Sequence, residues 1–125
     1  MNNKKLGNEF EDEMCKLLAQ KGYWAHFIVP DARGAQPFDI IAAKNGIPYA
    51  IDCKTCVANT FNINRLEDNQ IMGMQKWYDC THRSPIIAIQ SPKKDVYIEF
   101  DELKKGKTHH VNTMRSIDDL FNWRA

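Results

Sequence analysis

The sequence predicts a single α/β domain over residues 1–125, in which helices flank a mixed central β-sheet. A chain of 125 residues with 43% hydrophobic and 26% charged residues can bury one sizeable core without metal or disulfide staples. Segments with helical periodicity alternate with short runs rich in β-branched and aromatic residues. Their order is one helix, three strands, a second helix and two strands, which is typical of one sheet covered by helices.

The N-terminal third contains a helix, a strand and a loop. Residues 4–21 carry apolar side chains at helical spacing, and Gly22 follows as a stop signal. Residues 23–29, YWAHFIV, have the β-branched and aromatic composition of a strand. Residues 30–37 include two prolines and a glycine, so we expect a loop there.

The C-terminal half contains a second helix, two strands and a short final helix. Residues 67–82 have near-helical apolar spacing, although Gly73 weakens the pattern. The apolar runs in residues 84–90 and 95–100 predict two more strands. Near the end of the chain, Ser116 is placed to cap a short helix.

Two acids on the predicted hairpin raise a question. Asn45-Gly46 favours a two-residue type I′ turn, and counting outward from that turn places Asp39 opposite Asp52. Opposed side chains of a hairpin lie about 4.5–5.5 Å apart between Cβ atoms, where like charges destabilise the pair. A divalent cation reverses the sign of that interaction, and two carboxylates with retained waters suit Mg²⁺ or Mn²⁺. We therefore interpret the pair as a metal site.

The two faces of the hairpin strands, residues 38–44 and 47–55, differ in chemistry. Side chains alternate along a strand, so Asp52 and Lys54 share one face and Cys53 points to the other. Lys54 can orient water or offset charge on a phosphate, a combination that suits phosphodiester hydrolysis. The alternative is that the aspartates lie at frayed or bulged strand ends and never meet, because a one-residue slip moves a side chain to the other face.

These residues resemble the PD-(D/E)xK nuclease superfamily, and within it the Holliday junction resolvases of the archaeal and RecU-like types. The resemblance covers residues 7–103 and rests on Glu11 in the stretch GNEFE, on the strand residue Asp39, and on Asp52 and Lys54 in DCK. It implies a restriction-endonuclease-like fold over one nuclease domain. It also implies a metal-dependent endodeoxyribonuclease that uses Mg²⁺, for which Mn²⁺ can substitute.

The resemblance also implies site residues. In the family the metal is held by the residues that match Asp39, Asp52 and the backbone carbonyl of Cys53, with Glu11 in direct or water-mediated contact. The segment FNINRLEDNQIMGM is similar to a RecU-like segment whose helical glutamine lies near the metal, although a surface amide is the alternative for that residue. The catalytic residues implied are Glu11, Asp39, Asp52, Lys54 and Gln70. The candidate DNA contacts are Lys4, Lys5, Arg33 and Arg65.

We therefore predict a Mg²⁺-dependent, structure-selective DNA endonuclease that resolves four-way junctions. A junction needs two symmetric nicks, so we expect a homodimer with two equivalent sites. One alternative is a nuclease of the same fold that acts on duplex DNA, flaps or ends in repair or restriction. Another is a nucleic-acid-binding module without catalytic activity.

Composition and simple motifs argue against other classes. No apolar run approaches the ~18 residues of a membrane span, and no apolar h-region follows MNNKK, so we predict a cytoplasmic protein without a membrane partner. The net charge of +1 leaves DNA contact to local basic clusters. Cys53 and Cys56 with Cys80 and His82 superficially suggest zinc, but the second pair lacks the usual spacing. There is no GxxxxGK[ST] loop, so no nucleotide cofactor is predicted.

Overall fold

The structure is a computed structural model that describes residues 3–28 and 37–121. A six-stranded sheet runs through it, with α1 packed on one face and α2 on the other. The predicted mixed α/β architecture is confirmed, because β3 and β5 pair in parallel while the remaining neighbours are antiparallel. The helices are α1 Asn3–Gln20, α2 Asp68–Thr81, α3 Phe100–Leu103 and α4 Ile117–Phe121. The strands are β1 Trp24–Phe27, β2 Ile40–Lys44, β3 Ile47–Thr55, β4 Thr60–Asn62, β5 Ile86–Gln90, β6 Asp95–Glu99, β7 Thr108–His110 and β8 Arg115–Ser116.

The sheet order is β1-β2-β3-β5-β6-β8, which places β3 between β2 and β5 at the centre. A separate two-stranded ribbon pairs β4 with β7. Sequence reasoning missed three of these strands, β4, β7 and β8, because segments of two or three residues have too few positions to show alternation. Among the described residues no helix has the length and apolar character needed to cross a membrane.

The β2–β3 hairpin has the predicted turn and register. Asn45 and Gly46 have φ values of 54° and 80°, and a positive φ at both central positions is the mark of a type I′ turn. The ladder extends outward from the turn to the pair Ile40–Ile51. Asp39 lies one residue beyond it, so the prediction that it pairs directly with Asp52 within the strands is wrong.

The strand predicted over residues 38–44 therefore begins two residues later than predicted, at Ile40. The strand predicted over residues 95–100 ends one residue earlier than predicted, at Glu99. The backbone N–H of Asp39 donates to the carbonyl of Ile51 at 3.0 Å, the carbonyl that belongs to the last ladder pair. Phe100, predicted to end a strand, is the first residue of α3. In both places the chain leaves the sheet to pack an aromatic ring into the interior, since Phe38 and Phe100 are both buried.

Two apolar clusters cover the two faces of the sheet. Phe10, Met14 and Leu18 of α1 pack on one face, together with Ile40, Ile51 and Cys53 as predicted from strand alternation. Met74 of α2 belongs to the cluster on the other face, which also contains Cys56, Ile87 and Ile89. Asp52 lies on this second face of the central strand, so its carboxylate is enclosed beneath α2.

Helix α2 also touches the chain just before Asp39. A Cβ atom placed on Gly73 would lie 2.4 Å from the Cβ of Pro37, so only glycine permits this approach. One turn further along, Trp77 meets the ring of Phe38 edge-on at 5.3 Å between centroids. The glycine that weakened the helical pattern is thus the contact point that holds the segment leading into Asp39.

We expect Gly73→Ala to destabilise the protein. Alanine favours a helix over glycine by about 1 kcal/mol, but the clash with the rigid ring of Pro37 should cost about 1–3 kcal/mol and outweigh that gain. Urea unfolding measures the difference. Gly106→Ala, outside the helices, is the control for an added methyl group without a clash, because there the nearest atom to an added Cβ is 3.8 Å away. A Gly73→Ala variant at least as stable as the parent would show that the contact is loose.

Candidate metal centre

The carboxylate of Asp52 is the most confined charged group in the described structure. Asp52 is 1% exposed in the centre of the sheet, and burial raises the pKa of its carboxyl well above the ordinary range, with repulsion from Asp39 adding to the shift. Its Oδ1 accepts a hydrogen bond from Gln70 Nε2 at 3.3 Å. Its Oδ2 accepts no hydrogen bond, although the Lys54 ammonium lies 3.4 Å away and lowers that pKa by its charge.

Asp39 brings a second carboxylate to the same place from outside the strand. Its backbone N–H donates to Ile51, and its backbone carbonyl accepts from Ile28 at 2.7 Å. Its side-chain Oδ2 accepts the N–H of Cys53 at 2.8 Å. Three bonds to neighbouring backbone therefore fix the residue, and the two aspartates are adjacent as predicted, but through a bend rather than a strand pair.

The Cys53 backbone faces the Asp39 side of the strand. In a β-strand the N–H and C=O of one residue point to the same edge. Because the Cys53 N–H reaches Asp39, its carbonyl points to that edge as well, just beyond the point where β2 has ended. The role of this carbonyl as a metal ligand stays a prediction, while the Cys53 side chain lies in the core on the α1 side.

Glu11 is the residue of α1 that reaches the acidic pair. Burial, then repulsion from Asp39, raise the pKa of Glu11 from 4.5 to about 7; the charge of Lys54 opposes the shift and a hydrogen bond to Asp39 adds to it. Glu9 and Glu13 are exposed. The choice of Glu11 among the three helical acids therefore agrees with the geometry.

Gln70 connects the site to α2. Its Oε1 accepts the backbone N–H of Glu67 at 3.1 Å and lies 3.4 Å from the Lys54 ammonium. Because that oxygen accepts, the amide nitrogen must be the atom that faces Asp52. Gln70 is 7% exposed, so its alternative as a surface amide is wrong.

The Gln70 bond to Glu67 is half of a capping box, in which Glu67 is the N-cap and Gln70 the third helical residue. The first turn of α2 thereby fixes an amide against Asp52 and Lys54. Sequence reasoning did not use the Glu67-x-x-Gln70 spacing, although this signal could have located both the start of the helix and the direction of the glutamine.

The donor set fits a hard divalent cation. A buried carboxylate oxygen without a hydrogen bond, a second carboxylate beside it and a backbone carbonyl on the same edge are oxygen ligands of the kind that Mg²⁺ prefers, with water in the remaining positions. Across residues 3–28 and 37–121, no three side chains from His, Cys, Asp and Glu form a ready-made metal cluster. The carboxylates instead form a chain of neighbours, from Glu11 to Asp39 to Asp52.

The cysteines of the superficial zinc pattern lie apart. Cys53 belongs to the core on the α1 side of the sheet and Cys56 to the core on the α2 side, whereas Cys80 is exposed. Cys56 Sγ lies 3.3 Å from the carbonyls of Ala58 and Thr60, where it is placed as a donor within its own loop.

Of the predicted DNA contacts, only Arg65 is described with its side chain. Arg65 is exposed, and its Nη2 donates to the carbonyl of Thr55 at 2.9 Å, one residue beyond Lys54. Lys4 and Lys5 lie in the first turn of α1, but their side chains are outside the described part of the chain. Arg33 also falls outside the described residues.

Comparisons with known proteins identify the family and the fold of the chain. Residues 2–122 match a family model described as archaeal Holliday junction resolvase (Hjc). A solved structure of Hjc from Archaeoglobus fulgidus, titled as a Holliday junction resolvase from an archaeal hyperthermophile, superposes with a TM-score of 0.72 at 16% identity over 92% of this chain and 99% of that one. The crystal structure titled SSO0001 has a TM-score of 0.45 at 15% identity over 75% of this chain and 50% of that one, which is too weak to support an argument. No curated protein sequence matches the chain.

We expect Asp52→Asn to stabilise the protein in the absence of divalent ions. The folded state retains a proton on the Asp52 carboxyl that the unfolded state releases, because the folded pKa is raised well above 3.8, so the stability contributed by this group falls as the pH rises through the raised pKa. Asparagine removes the buried charge, which should add about 1–2 kcal/mol to the free energy of unfolding at pH 8 and less at pH 5.

Urea unfolding in EDTA at the two pH values measures this change. Asp12→Asn is the control, because Asp12 is an exposed helical acid paired with Lys16 at 3.0 Å and its loss should change stability by no more than about 0.5 kcal/mol. The expectation is contradicted if Asp52→Asn lowers the free energy of unfolding at pH 8, or raises it equally at pH 5 and pH 8. Either result would show that burial of the Asp52 charge does not destabilise the fold.

Proposed function

This chain belongs to the archaeal Holliday junction resolvase family, whose model matches residues 2–122, and on that premise we propose that its buried acidic site cleaves DNA junctions with bound Mg²⁺. The family assignment makes the chain a metal-dependent nuclease that hydrolyses branched DNA. The identity of the metal, the roles of individual residues and the oligomeric state are our proposal. Its main support is the Oδ2 atom of Asp52, which is buried without a hydrogen bond beside a second carboxylate.

In the proposed site Asp39, Asp52 and the carbonyl of Cys53 hold the cation. A cation there would satisfy the Oδ2 atom of Asp52 and cancel the repulsion that raises the pKa of its carboxyl. Mg²⁺ is favoured over softer metals because all three protein ligands are oxygens. When bound, the ion supplies positive charge that polarises the scissile phosphate and favours deprotonation of the attacking water.

Lys54 supplies the remaining positive charge from the protein. Its side chain is 20% exposed, so it can face a substrate phosphate while it stays within 3.4 Å of both Asp52 and Gln70. Its proposed role is to orient the attacking water or to stabilise charge that develops on the phosphate. Gln70 orients both neighbours, since its amide bridges the ammonium and the carboxylate and is itself held by the helix cap.

Glu11 is proposed to support the site from the opposite side. Its carboxyl contacts Asp39, and in the absence of a cation burial and repulsion from Asp39 raise the pKa of that carboxyl to about 7. A water held between Glu11 and the cation would match the indirect contact implied by the family pattern. Glu11 is thereby a positioning residue for Asp39 and for solvent.

The substrate geometry suggests two copies of the chain. A four-way junction requires two symmetric nicks, and a two-fold dimer supplies two equivalent sites. Arg65, with Lys4, Lys5 and Arg33, is proposed to contact phosphates rather than base edges, which makes binding structure-selective and dependent on salt. Since the substrate is DNA, we also propose a cytoplasmic location.

Cleavage of a labelled four-way junction tests the proposed function. With Mg²⁺ we expect paired nicks on the junction and little cleavage of the matched linear duplex. EDTA or Asp52→Asn should abolish cleavage, because the cation is no longer held. Lys54→Ala should slow cleavage by roughly 10²–10³-fold, since a charge that stabilises the transition state is lost.

Asp12→Asn is the control for the loss of a carboxylate away from the site. No cleavage of any DNA by the parent protein in Mg²⁺ or Mn²⁺ would overturn the proposal. Equal rates on the junction and on the linear duplex would instead indicate a nuclease of the same fold with a duplex substrate.

Metal binding can be measured without DNA. A cation that binds only the folded state stabilises it by about 2.7 kcal/mol at 100 times its Kd, so Mg²⁺ or Mn²⁺ should raise the melting temperature of the parent protein. Asp52→Asn should remove that increase, whereas Asp12→Asn should keep it. The same increase in Asp52→Asn would place the cation elsewhere.

A further inference from the structure

A cavity separate from the metal centre lies beyond the C-terminal ends of β3 and β5. It has a volume of about 380 Å³ and is bounded by the loop after β3, by the β5–β6 turn and by the end of the β4–β7 ribbon. The ionisable side chains among its described lining residues are Lys93, Lys94 and His110, and all three are exposed. None of the residues assigned above to catalysis, metal binding or DNA contact lines it.

The absence of a carboxylate from its lining distinguishes this basic groove from two other cavities of the described structure. One, beside β6 and α3, contains Glu99 and Glu102 together with Arg115, and another, along α2, contains Asp79 together with Lys76. The described lining of the basic groove has no carboxylate. Its remaining polar groups include amide and hydroxyl side chains such as Asn59, which can donate hydrogen bonds. Cations and neutral donors without competing acids are suited to a phosphate group.

The groove is built by backbone bonds that leave its lysine side chains available. In the β5–β6 turn, Ser91 bonds the backbone of Lys94 through both its N–H and its hydroxyl. Across the groove, Thr60 pairs with His110, and the N–H of Val111 donates to the carbonyl of Asn59 at 2.8 Å. Removal of the lysine side chains should therefore leave the loops in place.

The groove is also close enough to the metal centre to contact the same DNA. Strands β3 and β5 are parallel, so their following loops leave the sheet at one end, where the N–H of Cys56 donates to Gln90. Asn59 is five residues after Lys54, which limits their separation to at most about 18 Å. That span corresponds to about five nucleotides at 3.4 Å each along a duplex. Between them, Arg65 is bonded to Thr55.

We propose that this basic groove binds the phosphate backbone of a junction arm a few nucleotides from the cleaved bond. Lys93 and Lys94 neutralise phosphates, and Asn59 and His110 complete the contact from the opposite wall. The inference rests on the proposed function, because it takes the DNA bound at the metal centre as its ligand. It adds a stretch of DNA contact along the arm.

The test is the salt dependence of junction binding by Lys93→Ala/Lys94→Ala. Fluorescence anisotropy in EDTA measures Kd for a labelled junction, without cleavage, between about 0.05 and 0.3 M salt. Each neutralised phosphate contributes about 0.9 to the slope of log K against log salt, so we expect the slope to become shallower by about 2. The loss of two contacts should weaken binding by roughly 10-fold or more at 0.1 M salt.

Lys16→Ala/Lys105→Ala is the matched control. It removes the same net charge from two exposed lysines that are paired with Asp12 and Glu102, away from the groove. A Kd and slope for the groove variant equal to those of this control would overturn the inference. Thermal unfolding with and without Mg²⁺ checks that the groove variant is folded with an intact metal centre. Cleavage by the parent protein is measured separately, so failure of the proposed function is distinguished from failure of the groove.

Discussion

A carboxylate that is 1% exposed loses nearly all of its hydration, and Asp52 holds such a group in the central strand of the sheet. The chain compensates this loss only in part. Gln70 donates to one oxygen, and the Lys54 ammonium lies near the other without a hydrogen bond. Asp39 then adds a second carboxylate, which makes the charge more costly to maintain. A further cation would stabilise the charged form of this group, and this electrostatic argument connects the fold to metal-dependent chemistry.

The elements around Asp52 are organised to hold that arrangement in place. Helix α2 contributes Gln70 from its capping box, and its Gly73 and Trp77 pack on the two residues that precede Asp39. Helix α1 contributes Glu11 from the other side of the sheet edge. Three separate elements therefore converge at the end of the β2–β3 ladder. The convergence limits the freedom of each side chain, which is what a site that must position a phosphate requires.

The basic groove on the outer surface differs from the metal centre in how its side chains are held. The buried site depends on burial and on a few fixed bonds, whereas the basic groove beyond β3 and β5 consists of exposed side chains on loops. Phosphate contacts of that kind position a duplex without reading its sequence. Buried chemistry at the ladder end and a solvated cationic groove next to it together suit an enzyme that recognises the shape of branched DNA.

Local chemistry was sufficient to predict much of this protein from its sequence. The Asn45-Gly46 turn sets the hairpin register, because only certain residues accept positive φ at both positions, and that register brings Asp39 close to Asp52. The helical spacing of α1 and α2 and the buried strand patterns follow from apolar periodicity. Only the tertiary structure decided that Asp39 leaves the ladder, that the Gln70 amide meets Asp52, and that β4 and β7 build one wall of a groove with the β5–β6 turn. These features depend on contacts between residues distant in sequence, such as Pro37 with Gly73, and no local pattern contains that information.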